Sequence, residues 1–217
     1  MEYDVKFPDL SNYDISKPGD MALYHAHVDF MPFRSVIENT MLSVKASREY
    51  YMEHYKKASE LEDFIHEDWA MTSASLYSAR VVPLTYYSLV LVMVSLLEEA
   101  FNTLCRAYQL SEKYTLVQKD IEGQGLERAI KYLDKVAGVH GIKSDVNWEY
   151  VKTIRDARNM IVHNGGRVKG KTEVYEKFGF YIDETDHKLC FEYDDIVKMY
   201  DAIMDFIEHT FRIEPER

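Results

Sequence analysis

The chain has 217 residues, 47% hydrophobic and 29% charged, the balance of a soluble globular protein with room for one domain and a substantial core. Only 9 Gly and 5 Pro punctuate it, too few for a fold built from many tight β-turns. The formal net charge of −11 repels bulk nucleic acid, so any contact with RNA must use a small local site.

The opening "MEYDVKFPDL" has early acids and no apolar core, so no secretory signal is expected. Cys105 and Cys190 lack neighbouring partners and metal-ligand spacing, which suits a reducing, cytoplasmic compartment. Residues 1–32 carry Pro8, Pro18, Gly19 and Pro32 without a sustained period and are expected to form an irregular arm. A single helical domain is expected over 33–217.

From Phe33 the pattern changes. Ile37, Met41, Val44, Tyr51, Tyr55, Ala58 and Ile65 follow steps of three and four, which predicts a long amphipathic helix over 33–68. The next helix, 83–108, is apolar all round until Glu98 and Glu99 and should be the buried centre of a bundle, antiparallel to the first. Its uncharged run Val81–Leu97 is only 17 residues and contains Pro83, Tyr86, Tyr87 and Ser88, so it reads as core rather than as a membrane span. A third helix over 125–136 places Leu126, Ile130 and Leu133 on one face. The fourth has a start signal at Ser144 or Asp145 and a stop at Asn164 with Gly165. Alternating Phe178, Phe180, Ile182 and then Leu189, Phe191, Tyr193 flank "DETDHK" and predict a β-hairpin over 178–193. A last helix over 194–211 buries Ile196, Met199, Ile203, Phe206 and Ile207.

Three constellations could carry chemistry. "GGRVKGKT" places Gly165, Gly170, Lys171 and Thr172 in the phosphate-loop pattern, but a helix precedes it and 45 residues follow, too few for a parallel sheet. It reads as a basic turn. His25, His27 and Asp29 in "HAHVD" imitate a metal-ligand cluster without the further ligands such a site needs, so no metal or other cofactor is expected. Arg158 and His163 are five positions apart, as weak a spacing as that of Arg48 and His54. Their context differs. Arg158 falls on the apolar stripe Val151, Ile154, Ile161, where a guanidinium is costly unless it is paired or functional. His163 stands at the open helix end, and Asn159, four residues earlier, shares its face. The bland alternative is a structural salt bridge for the arginine and a helix-capping histidine.

"RNMIVHNGG", late in an all-helical chain, resembles the signature of the HEPN superfamily: an arginine, four to six residues, then a histidine, often with a polar residue after the arginine. Arg158, Asn159 and His163 match it, and the likeness spans the helical core, roughly 33–211. The resemblance implies an all-α HEPN-like bundle of long antiparallel helices with a small β-hairpin inserted after the motif helix. It also implies a homodimeric, metal-independent endoribonuclease of toxin–antitoxin, abortive-infection or antiviral systems, with RNA as substrate and an antitoxin or regulatory protein as partner. The alternative is a catalytically silent HEPN-like RNA-binding or scaffold protein. Glu98 or Glu99, on the buried helix, is expected to hold Arg158.

Overall fold

The computed structural model describes residues 8–170 and 172–216. It is a mainly helical bundle with one small two-stranded antiparallel sheet. Helix α1 runs from Pro18 to Glu60, α2 from Phe64 to Leu76, and α3 from Val82 to Glu112. Then come α4 (Gly125–Tyr132), α5 (Trp148–Asn164), the short α6 (Glu173–Glu176), β1 (Tyr181–Ile182), β2 (Leu189–Cys190) and α7 (Tyr193–Phe211).

The irregular arm expected over 1–32 is confined, within the described residues, to those before Pro18, and 1–7 lie outside them. Pro18 suits a helix start because its missing amide would be unpaired there anyway. Pro32 sits inside α1 and removes the bond to Val28. The helix continues through it because Ala22, Leu23, Ala26, Phe30, Phe33 and Ile37 bury one continuous stripe, each at most 7% exposed.

The helix expected over 33–68 instead breaks at Leu61–Asp63, where Glu62 takes φ 53° and Asp63 caps α2 by accepting from the His66 amide at 3.2 Å. Helices α2 and α3 join through a wide π-type turn, Tyr77–Val81, in which the Val82 amide donates to the Tyr77 carbonyl. The widening accommodates Pro83, whose ring cannot sit over a regular α-turn.

Helix α3 is the centre of the bundle and packs against α1, α4, α5 and α7. Val90, Met93, Leu97, Phe101 and Leu104 are fully buried along it. Its opposite side is not: Leu84 remains 64% and Val92 43% exposed, correcting the expectation of burial all round. The α2–α3 run, Phe64–Glu112, is long and apolar enough to cross a membrane by length and composition, and 44% of its most apolar window is buried in the bundle. From α7, Phe206 stacks on Phe101 with ring centroids 5.5 Å apart and meets Trp148 of α5 at 5.9 Å. The hairpin pairs Tyr181 with Cys190 and Ile182 with Leu189, burying Phe180, Leu189 and Phe191.

Candidate functional site

The candidate site lies on α5. The helix begins at Trp148, three or four residues beyond the start signal expected at Asp145 or Ser144. Asp145 holds a tight turn first: its carboxylate accepts from the Asn147 amide at 2.7 Å and its carbonyl from the Trp148 amide at 3.1 Å. Val151, Thr153, Ile154, Ala157 and Ile161 then form the buried face against α3 and α7.

Two arginines one turn apart on this helix have opposite fates. Arg155 is matched: Nη1 lies 3.1 Å from Glu127 of α4 and Nη2 3.2 Å from Asp156, and Lys143 reaches the other Glu127 oxygen at 2.9 Å. Burial pushes the Glu127 carboxyl up, but hydrogen bonds from Lys143 and Arg155 outweigh it and hold the group below the usual range. This network fastens α5 to α4. The sequence reading missed it, since Glu127 and Arg155 are 28 positions apart.

Arg158 is half-buried and has no carboxylate within 4.0 Å among the described residues. Its Nη1 donates to Asn159 Oδ1 at 3.1 Å, and its Nε is buried without any partner. The expected support from Glu98 or Glu99 is absent. The Glu98 carboxylate lies over Gly125, where an added Cβ would overlap Oε1, and Glu99 receives Asn102 Nδ2 at 3.5 Å. Arg155 Nε is likewise buried without a partner, so what sets Arg158 apart is its missing counter-ion among the described residues, which fits a ligand anion better than a structural cross-link.

His163 is exposed and makes no side-chain hydrogen bond among the described residues. Five residues at about 100° each put it roughly 140° around the helix from Arg158. One chain thus bonds Arg158 to Asn159, which lies about 40° around the helix from His163, while Arg158 and His163 themselves do not converge.

The turn after His163 has a structural explanation. Gly165 (φ 60°) and Gly166 (φ 84°) both adopt left-handed backbone, with their amides donating to Ile161 and Met160 carbonyls at 3.1 and 3.0 Å. Tyr87 packs on Gly166 so closely that an added Cβ would overlap its hydroxyl. That hydroxyl donates to the Leu189 carbonyl at 2.6 Å, and burial pushes the phenol up to about 12, so it stays a donor. Arg167 then bridges to Lys188 beside the hairpin. The glycine-rich segment is therefore the seam between α5 and the hairpin. Lys171 of the phosphate-loop pattern lies outside the described residues, and Thr172 precedes the four-residue α6.

His25 and His27 both lie on α1. His25 is exposed, whereas His27 bridges the Tyr13 hydroxyl and Glu208 Oε1, the latter at 3.2 Å. Among the described residues no three His, Cys, Asp or Glu side chains gather as metal ligands. No family model matches the chain, and no curated protein or solved structure matches it.

Proposed function

We propose that the chain is a metal-independent endoribonuclease of the HEPN type, working in the cytoplasm in toxin–antitoxin, abortive-infection or antiviral defence. The observation that carries this reading is Arg158, a half-buried cation with an unmatched Nε and no protein counter-ion among the described residues. An RNA phosphate supplies the missing anion, and the guanidinium fork stabilises charge on its equatorial oxygens. Asn159, bonded to Nη1, orients that fork. His163 exchanges protons: one imidazole removes the 2′-hydroxyl proton as that oxygen attacks phosphorus, and another protonates the departing 5′-oxygen. The products are a 2′,3′-cyclic phosphate and a free 5′-hydroxyl.

Each chain supplies one motif histidine, so the two-imidazole step calls for a homodimer. An antitoxin or regulatory protein would hold the activity in check. The roughly 140° between Arg158 and His163 favours a second reading, a catalytically silent HEPN-like RNA-binding or scaffold protein.

The test is incubation of pure protein with structured and unstructured RNAs in EDTA. Cyclic phosphate ends should form, and His163→Ala should slow cleavage by roughly 10² or more. Arg158→Ala should lose a comparable factor, and Lys171→Ala and His25→Ala should leave the rate nearly intact. No cleavage across the panel selects the silent reading, and cleavage that survives His163→Ala removes this residue from the chemistry.

A further inference from the structure

Helix α2 has 13 residues and buries only Ala70. It packs along α1, where Trp69 makes edge contacts with His54 at 5.9 Å and Tyr51 at 6.3 Å. Its outer side is apolar: Phe64 is 75% and Ile65 82% exposed, and Met71 and Leu76 are more than half exposed. Steps of three and four put Phe64, Asp68 and Met71 on one strip of this helix. So short a helix is marginal in water unless packing supports it, and one buried alanine supports it little. The exposed face therefore has the character of a surface that a partner covers, and its aromatic and methionine side chains are types that enrich interface centres.

The charges beside this face identify the occupant. Residues 58–79 carry Glu60, Glu62, Asp63, Glu67 and Asp68 and no lysine or arginine. Asp63 meets His66 at 2.7 Å, whereas the other four carboxylates have no cation within 4.0 Å among the described residues. The nearest lysines do not neutralise them. Lys57 is held by Glu53 at 2.6 Å, and Lys56 stands about 160° around α1 from the buried Ala58, on the side turned away from the α1–α2 packing. Glu62 closes α1 in left-handed backbone, φ 53°, with the Asp63 amide donating to the Ala58 carbonyl at 2.9 Å. That cap favours glycine, so a carboxylate is kept there against the backbone preference. An apolar face edged by unpaired carboxylates matches a segment that carries lysines or arginines beside apolar anchors. Anionic lipid and RNA are repelled there, and the α2 of a second copy carries no lysine or arginine to offer.

We infer that the outer face of α2, with the acidic turn before it, is the docking surface for a basic amphipathic protein segment. The segment's apolar side chains cover Phe64, Ile65 and Met71, and its cations meet Glu60, Glu62 and Asp68. This deepens the proposed function by naming the surface and the chemistry of its regulatory partner, and it rests on that partner but not on RNA cleavage. Helix α2 runs on through the π-type turn to Arg80, Pro83 and Leu84, which share a cleft of about 750 Å³ with Gly165 at the end of α5. A segment that fixes α2 thus fixes one wall of the cleft beside the candidate site.

The test uses the full chain and a fluorescein-labelled helical peptide of about 18 residues, with leucines at heptad spacing and lysines flanking them. A matched peptide with glutamates in place of the lysines is the control. By fluorescence anisotropy the lysine peptide should bind at least about tenfold more tightly than the glutamate peptide, with the difference shrinking as salt rises. Phe64→Ser with Ile65→Ser, both at exposed positions, should weaken binding at least about tenfold with an unchanged circular dichroism spectrum. Glu60→Gln, Glu62→Gln and Asp68→Asn together should weaken it and flatten its salt dependence. Glu62→Gly should melt no lower than wild type and still bind less tightly, a split that a purely structural role would not produce. Equal affinity for the two peptides, or lysine-peptide binding that survives the serine pair, overturns the docking surface. Association with phosphatidylserine vesicles or with RNA that the serine pair abolishes overturns the choice of a basic protein segment. A fall in mass by light scattering in the serine pair overturns it too, by assigning the face to a second copy. Arg158→Ala should bind the peptide as wild type does, so a chain that binds it and never cuts RNA leaves this inference standing and removes the catalytic reading.

Discussion

Arg158 and Arg155 are predicted to respond in opposite directions to the same substitution. Arg158→Met removes a buried Nε that has no partner, a group whose uncompensated desolvation costs about 1–3 kcal/mol. It also removes one hydrogen bond to Asn159, which contributes about 0.5–1.5 kcal/mol. The methionine covers much of the same apolar ground as the arginine stem. The variant should therefore be as stable as wild type or up to about 2 kcal/mol more stable, while cleavage is lost.

Arg155→Met instead strips Glu127 of one of two cationic partners, with the Arg155 side chain only 18% exposed and that of Glu127 30%. Discounted for that partial exposure and for the unbonded Arg155 Nε, the loss should be about 1–2 kcal/mol, with cleavage retained. Urea melts at one fixed protein concentration separate the two, because a gap of about 2 kcal/mol moves the midpoint by roughly 1 M at a slope of about 2 kcal/mol/M. If Arg158→Met destabilises the fold as much as Arg155→Met does, Arg158 is structural and the site reading fails.

Two further outcomes follow from local geometry. Gly166→Ala combines left-handed backbone with displacement of Tyr87 from the Leu189 carbonyl and should cost roughly 2–4 kcal/mol. Gly165→Ala, with nothing within 4 Å of the new methyl, should cost about 1 kcal/mol, so equal thermal melting of the two would refute the seam at Tyr87. The Glu127 carboxyl is held below its usual range in the folded chain, so its stabilisation is present above the unfolded value of about 4.3 and lost as pH falls through the folded one. Glu127→Gln should thus be less stable than wild type near neutrality, and the gap should close in acid. A gap independent of pH would show that Lys143 and Arg155 do not act through the carboxylate charge.

The bundle was legible wherever burial repeats at helical spacing. The fourth helix ends at Asn164 and Gly165 as its stop signal implies, and the hairpin follows from two alternating aromatic runs that bury Phe180, Leu189 and Phe191. Proline signals misled because they act locally. Pro18 opens a helix and Pro32 is carried inside one by the burial of Phe30 and Phe33, a tertiary gain the segment alone does not reveal. Apolarity misled in the other direction. The stripe that predicted one helix to 68 includes Ile65, which is exposed in the first turn of α2, beyond the break at Leu61–Asp63 that turns the chain away from the core. At the site, the placement of Arg158 on an apolar stripe was readable, but its pairing was not. Which of Arg155 and Arg158 meets a carboxylate depends on Glu127, brought across from α4.

A net charge of −11 and an RNA substrate are compatible only if few phosphates are held, and that condition has a measurable consequence. Between residues 155 and 169 the chain carries Arg155, Arg158, Arg167 and Lys169 against the single carboxylate of Asp156, so this segment is cationic on an anionic protein, although Asp183 and Asp186 of the hairpin share the cleft at Gly165. Arg155 is occupied by Glu127, and the Asp186 carboxyl of the hairpin lies within electrostatic reach of Arg167, so Arg158 and Lys169, with Arg167 shared, are the cations offered to RNA. Neutralising two or three phosphates of a single strand gives a slope of log affinity against log salt of about −1.4 to −2.1. Binding of a non-cleavable RNA with 2′-methoxy groups, followed by fluorescence anisotropy at several salt concentrations, should fall in that range. Arg167→Ala should flatten the slope by about 0.7, the contribution of one contact. A slope of about −4 or steeper would require a cationic surface away from α5, and RNA binding would then have to be assigned elsewhere in the molecule.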